Sequence, residues 1–219
     1  MGTDIHGVLQ ERVAAEDTNV PVVPSTLWHT VCEVEDSRNY RLFAALAGVR
    51  NGHGFAGVPT HKPITPISET RGLPDDFDVR EAARIHGDHH SEDYDDDYPE
   101  WLVLGDHSFT WLGLDEVLSW SGWDQILHEI GYIDREAYST WREHQGAPKG
   151  WCGGIAGSGV VQANHMTGIF PLGWTHVLVG WKRPLRESCR HFLEWAEGAV
   201  ELLESKDPKQ ARLVLGFDS

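Results

Sequence analysis

The sequence predicts an α+β fold, a mainly antiparallel sheet of about four strands with helices packed on one face and long Gly/Pro-rich loops. Three observations lead there. Segments that alternate with period two stand at both ends of the chain and between them, at 3–13, 27–34, 174–182 and 211–217. Segments with helical spacing fall between some of these but do not alternate with them regularly, which argues against a βαβ series. The first two strand segments are joined by a stretch rich in Asp, Asn and Pro (16–26), as antiparallel neighbours commonly are.

Each element has its own justification. In 3–13, Ile5, Leu9 and Val13 share one face, and Asp4, His6, Val8, Gln10 and Arg12 share the other. After the second strand, Asp36-Ser37-Arg38-Asn39 supplies helix-starting residues, and Leu42, Phe43, Leu46 and Val49 recur at helical spacing until Gly52. From 51 to 76, Gly52, Gly54, Pro59, Pro63, Pro66 and Pro74 make a long ordered loop, a kind of segment that often carries function. A short helix is expected at Val79–Ile85, followed by an acidic loop insertion near 86–100. Trp101–Leu104 suits a short strand, Ser108–Leu112 leads into a helix near Asp115, and 133–144 suits another helix. Gly146–Gly159 is glycine-rich and without period. In 174–182, Thr175, Val177, Val179 and Trp181 share a face. Pro184 then opens the clearest helix, on which Leu185, Cys189, Phe192, Ala196, Ala199 and Leu203 form one stripe.

The bulk numbers bound the function. A chain of 219 residues with 40% hydrophobic residues and ten tryptophans can bury a core, and residues 1–219 fit a single domain. No stretch approaches the roughly 20 apolar residues of a membrane span. The N-terminus lacks a signal-peptide pattern. Cys32, Cys152 and Cys189 are odd in number and form no CxxC pair, which points to a reducing cytoplasm and away from a disulfide framework or zinc cage. A formal charge of −16 disfavours direct nucleic-acid binding, because duplex affinity comes largely from Lys and Arg neutralising phosphates. A local basic pocket for a small phosphorylated ligand is compatible with it.

Four groups of residues carry candidate chemistry. Asp4 and His6 lie two apart on a strand, roughly 6.5–7 Å from each other on one face, and can converge on a metal ion or a phosphate. The alternative is an ordinary polar sheet face, which Gln10 and Arg12 favour. Asp106 and His107 precede an apolar element and could be aimed into a cleft, or Ser108 and Thr110 could cap local structure instead. Arg41, Arg50 and Arg71 are anion-binding candidates, since a guanidinium pairs bidentately with phosphate; salt bridging within so acidic a chain is the competing role. The run from His86 to Asp97 has the residue types of a metal site but reads as a solvated acidic loop with weak cation affinity. Asn164, His165 and His176 are weaker candidates, and Trp111, Trp151 and Trp174 beside glycine-rich turns could stack on a base. The glycines at 153–159 match neither nucleotide-binding fingerprint.

Several segments resemble a family of uncharacterised proteins encoded mainly by bacteriophages and prophages, whose members open with Met-Gly-x-Asp-Ile-His as Met1–His6 does. The resemblance continues through Asn39–Ala44, Val49-Arg50-Asn51, Pro66-Ile67, Arg71–Pro74, Asp106–Ser108 with Trp111-Leu112, and Arg212–Asp218. Thr3 stands where that family commonly has Cys. The family brings no assigned activity; it implies a viral origin, the cytoplasm of a bacterial host, and possible action on a host protein in a defence system. Asp4-Ile5-His6-Gly7 also resembles the opening motif of calcineurin-like metallophosphoesterases, and Gly105-Asp106 their second motif, though the Arg-Gly that usually follows is absent.

These readings combine into three expectations. In the first, Asp4, His6, Asp106 and His107 hold a divalent metal ion (Mn, Mg or Zn) that activates water against a phosphoester of a nucleotide, with Arg41 or Arg50 stabilising the developing charge. In the second, Arg50, Arg71 and Trp111 help bind a nucleotide-like ligand without turning it over. In the third, the acidic surface inhibits a protein partner. Whether the chain is an enzyme stays open at this point.

Overall fold

The computed structural model describes residues 2–12, 27–34, 38–79, 82, 104–155 and 157–218. The acidic run 86–100, most of the helix expected at Val79–Ile85 and all but Leu104 of the strand expected at Trp101–Leu104 lie outside the described residues.

The fold is α+β, built on two sheets. The first has the strand order β2-β1-β7-β3, with β1 at Ile5–Arg12, β2 at Trp28–Glu33, β3 at His107–Gly113 and β7 at Ala211–Phe217. Every pairing in it is antiparallel. The second has the order β4-β6-β5, with β4 at Ile126–Asp134, β5 at Gln162–Asn164 and β6 at His176–Pro184. Here β4 pairs antiparallel and β5 parallel with β6. The segment 174–182 is therefore a strand as expected, but it belongs to the second sheet, and β3 takes the fourth place in the first. No helix among the described residues is long and apolar enough to cross a membrane.

Helix α1 (Tyr40–Ala47) joins the two sheets. Asn39, the last residue of the expected helix entry, caps it, its side chain accepting from the backbone N–H of Arg41 and Leu42 at 3.2 and 3.4 Å. Gly48, in the left-handed conformation at φ 68°, ends it. Seven of its eight residues are buried, as befits a helix with structure on all sides. Phe43 packs edge-on against Phe217 of the first sheet at 5.3 Å, while Leu127 of the second sheet joins the same apolar cluster. The expected stripe of Leu185, Cys189, Phe192, Ala196, Ala199 and Leu203 is buried in that cluster too. It is carried by a short helix α4 (Leu185–Ser188) and by α5 (Arg190–Ala199). Helix α2 (Leu114–Ser119) follows β3, and α3 (Arg135–His144) follows β4.

The first sheet is covered on both faces. Leu9, Leu213, Leu215 and Phe217 face the helices, and Val8 and Val214 form a second cluster with Ala82 and Leu104. The period-two reading of β1 put Leu9 and Val8 on opposite faces correctly; covering the second face with Leu73, Phe77 and Leu104 is what a two-sided burial adds.

Candidate functional site

The sequence-predicted residues meet only in part. Asp4 begins β1, and Asp218 follows β7 directly beside it: the Asp4 N–H donates to Asp218 Oδ1 at 2.9 Å, and Asp218 N–H donates to Asp4 O at 3.2 Å. His6 Nε2 lies 3.1 Å from Asp218 Oδ2. Thus Asp4 and His6 do share a cluster, with Asp218 as a third member. The Asp4 carboxylate, however, is gripped by both arms of Arg38, with Nε to Oδ1 at 2.6 Å and the Nη2–Oδ2 contact beside it. The hydrogen bond from Arg38 holds the Asp4 carboxyl below the usual carboxylate range. A metal ion at Asp4 would have to displace this pair.

Asp106 begins the neighbouring strand at the same sheet end, its N–H donating to Phe217 O at 2.8 Å. His107 faces differently. It is the register partner of Phe217, as Ile5 is, and its ring stacks on that of Phe217 at 6.2 Å while Nδ1 contacts Ser108 Oγ at 2.8 Å. A β-bulge between His107 and Thr110, with Ser108 at φ 54°, turns this corner. Among the described residues, no three His, Cys, Asp or Glu side chains stand together as a metal-holding group.

The three arginines go to three places. Arg50 donates from Nε to Thr3 Oγ1 at 2.9 Å beside the Tyr40 ring. Arg71 lies over the Trp111 ring at 4.8 Å and pairs with Glu116 through both Nη atoms at 2.8 and 2.7 Å, so Trp111 holds an arginine, not a base. Arg41 leaves the first sheet altogether. From α1 its Nε reaches Glu129 Oε1 in the second sheet at 2.5 Å, with its guanidinium over the Trp151 ring at 4.7 Å.

Glu129 organises this second sheet. Its fully buried side chain also accepts from Arg183 Nε at 2.5 Å, Arg183 Nη2 at 3.1 Å and Trp181 Nε1 at 2.7 Å. Burial pushes its carboxyl up, but the Arg183 hydrogen bond and the charges of Arg41 and Arg183 outweigh burial, and the net shift is downward. Gly131 makes room on the same strand for Trp151: a Cβ there would stand 2.4 Å from the indole. The loop 51–76 comes alongside this edge. His61 bridges to Glu129, and the N–H groups of Lys62 and Ile130 donate to His128 O and Thr60 O at 3.0 and 2.9 Å. Buried His61 accepts the Gly52 N–H at Nε2, which leaves the proton on Nδ1, 3.1 Å from Thr60 Oγ1. Burial, and then the nearby Arg41 charge, pulls its pKa down to about 4, so the ring is neutral at pH 7.

The opposite face of the same strands presents a groove of about 370 Å³, lined by Lys62, His128, Ile130, Met166, Gly180 and Lys182, with His61, Glu129 and Trp181 also at its wall. Its geometry follows from register. His61 pairs with Glu129 and His128 with Lys182, so Lys62, His128 and Lys182 are cross-strand neighbours in one row on one face. The next row on that face is Ile130 opposite Gly180. Met166 closes the side where β5 has ended, in the turn His165–Thr167 that Asn164 caps at 3.0 and 3.3 Å. Beneath the floor, Arg41 and Arg183 outnumber Glu129 two to one. Lysines and arginines in and under the groove thus set four positive charges against one carboxylate, inside a chain of net charge −16.

None of Lys62, His128, Gly180 or Met166 was singled out from the sequence. The signal was present: Leu127, Glu129, Gly131 and Ile133 alternate as the inward face of a strand. A glutamate and a glycine on that face hide the pattern. Comparison with protein-family models, curated proteins and solved structures finds no match to this chain.

Proposed function

We propose that this protein binds a small phosphorylated ligand in the groove of the second sheet and holds it without turning it over. The observation that carries this reading is the row Lys62–His128–Lys182. The two lysines stand on either side of His128 across neighbouring strands, so a phosphoryl group seated on the row meets an ammonium from each side. None of the three forms an ion pair with a described residue, although the chain has 34 carboxylate side chains. Lysine binds phosphate as a compact charge with rotatable donors, which suits a phosphoryl group approaching a sheet face. The groove lies at the small end of ligand pockets, matching one mononucleotide-sized molecule.

The metal-dependent phosphoesterase expected from Asp4, His6, Asp106 and His107 is less well supported, because Arg41 serves Glu129 in the other sheet and Arg38 occupies Asp4. The two readings separate cleanly by experiment. Titration of purified protein with nucleoside monophosphates should show binding that Lys62→Ala with Lys182→Ala weakens by about tenfold or more. Ligand recovered after denaturation should be chemically unchanged. Turnover of the same compounds with added Mn²⁺ or Mg²⁺ would sink the holding role and restore the hydrolase.

A further inference from the structure

Gly180 sits in the interior of β6, where a glycine weakens a strand through backbone entropy and missing contacts. The other glycines within the strands have visible reasons. A Cβ at Gly216 would lie 2.0 Å from Leu104 O, and one at Gly7 would lie 2.5 Å from Leu215. Gly180 has no such reason. A Cβ there would meet Glu129 O at 3.5 Å, Met166 Sδ at 3.7 Å and Ile130 Cγ2 at 3.8 Å, all ordinary contacts, and its φ is not in the left-handed region. The protein itself could accommodate an alanine. What the missing side chain leaves is a slot about one ring thick between Ile130 Cγ2 and the Met166 sulfur, since a Cβ there would touch both.

From this geometry we infer that the groove selects a phosphorylated ligand carrying a flat aromatic base, a nucleoside 5′-monophosphate, with the edge of the base inserted over Gly180 between Ile130 and Met166. The inference rests on the phosphate-binding role of the lysine row and specifies what is attached to the phosphate. The spacing fits. The His128–Lys182 pair and the Ile130–Gly180 pair are two residues apart along the strands, roughly 6.5–7 Å, the separation of a 5′-phosphate from its base across one ribose. A planar ring can enter edge-first where no side chain stands, and Ile130 and the polarizable Met166 sulfur then lie against its two faces. Met166 is 56% exposed, so covering it with a base also removes apolar surface from water. Glu129 and His61 face the other side of the sheet, which leaves Lys62, His128 and Lys182 as the charged or titratable groups on the ligand's side among the lining residues.

The test compares adenosine, guanosine and uridine 5′-monophosphates with ribose 5-phosphate, by calorimetry on the full chain. At least one nucleotide should bind more than about tenfold tighter than ribose 5-phosphate. Gly180→Val fills the slot with a residue that suits strands and should erase that preference, so that on this variant the nucleotides bind no more than about twofold tighter than ribose 5-phosphate. Gly180→Ala, whose methyl meets only ordinary contacts, should shift the preference in the same direction by less, and it carries the test if the valine variant does not fold. Ribose 5-phosphate binding as tightly as every nucleotide, or a preference indifferent to both substitutions, overturns the base inference and leaves the phosphate reading standing. No binding of any of these compounds overturns both.

Discussion

At the scale of single residues, the sharpest consequences concern Glu129. It is the one carboxylate between Arg41 and Arg183, with no exposed side-chain surface of its own. Glu129→Gln would leave two partly buried cations facing each other; breaking a fully buried set costs about 3–5 kcal/mol, and the partial exposure of both arginines places this loss at or below the lower end. Urea unfolding should show the midpoint falling accordingly, while the slope stays near wild type. The pH dependence has two separable windows. His61 has its pKa depressed from 6.5 to about 4 in the folded chain, so the unfolded chain binds its proton first as pH falls. Stability from this group is complete above pH 6.5 and is lost between there and about pH 4. Glu129 is also depressed below its ordinary 4.5, and its contribution is lost only below that value, as pH falls through the lowered folded pKa. His61→Gln keeps an acceptor for the Gly52 N–H and removes the titration. It should flatten the stability profile between pH 6.5 and 4 and leave the loss below pH 4.5 in place.

At the scale of elements, glycines tell which strands are constrained by the fold and which by something else. Gly216→Ala drives a methyl into Leu104 O beside the end of β7, a backbone contact that no side-chain rotation relieves. It should abolish cooperative folding or cut stability by several kcal/mol, as overpacking against backbone does, whereas Gly180→Ala should leave the thermal midpoint within a few degrees of wild type. Similar melting of the two variants would contradict the assignment of Gly180 to a ligand. The same contrast explains what was legible in the sequence. Strands β1, β2 and β7 and the helix stripe from Leu185 to Leu203 were readable, because apolar residues at one period fill their buried faces. Strand β4 was not, because Glu129 and Gly131 occupy its inward face for reasons that only the arginines and Trp151 supply. Arg41 looked like an anion ligand for want of any local sign that α1 points it across to another sheet. The pair of Asp4 and His6 was correctly placed together, but Arg38 and Asp218, their actual partners, come from 34 and 212 residues away.

At the scale of the whole molecule, the question is how an anion reaches a groove in a chain of charge −16. The chain as a whole carries an excess of carboxylates, while Lys62 and Lys182 act within the groove itself. Added salt screens distant charges first, since the Debye length is about 30 Å at 0.01 M and about 8 Å at 0.15 M. Raising salt across that range therefore removes long-range repulsion before it weakens the short-range attraction. Nucleotide affinity should change by less than about threefold between those two concentrations and fall above them. A protein that attracts phosphate with its whole surface would instead lose affinity steeply throughout, as counterion release demands. The same titration decides between the two ends of the molecule. Asp4, His6, Asp106 and His107 belong to the first sheet and Lys62, His128 and Lys182 to the groove of the second. If the groove is the binding site, EDTA and Asp4→Asn should each leave nucleotide affinity within about twofold of its untreated wild-type value. Loss of binding under EDTA, or with Asp4→Asn in a protein that still melts near wild type, would move the ligand to the first sheet and make the metal essential to it.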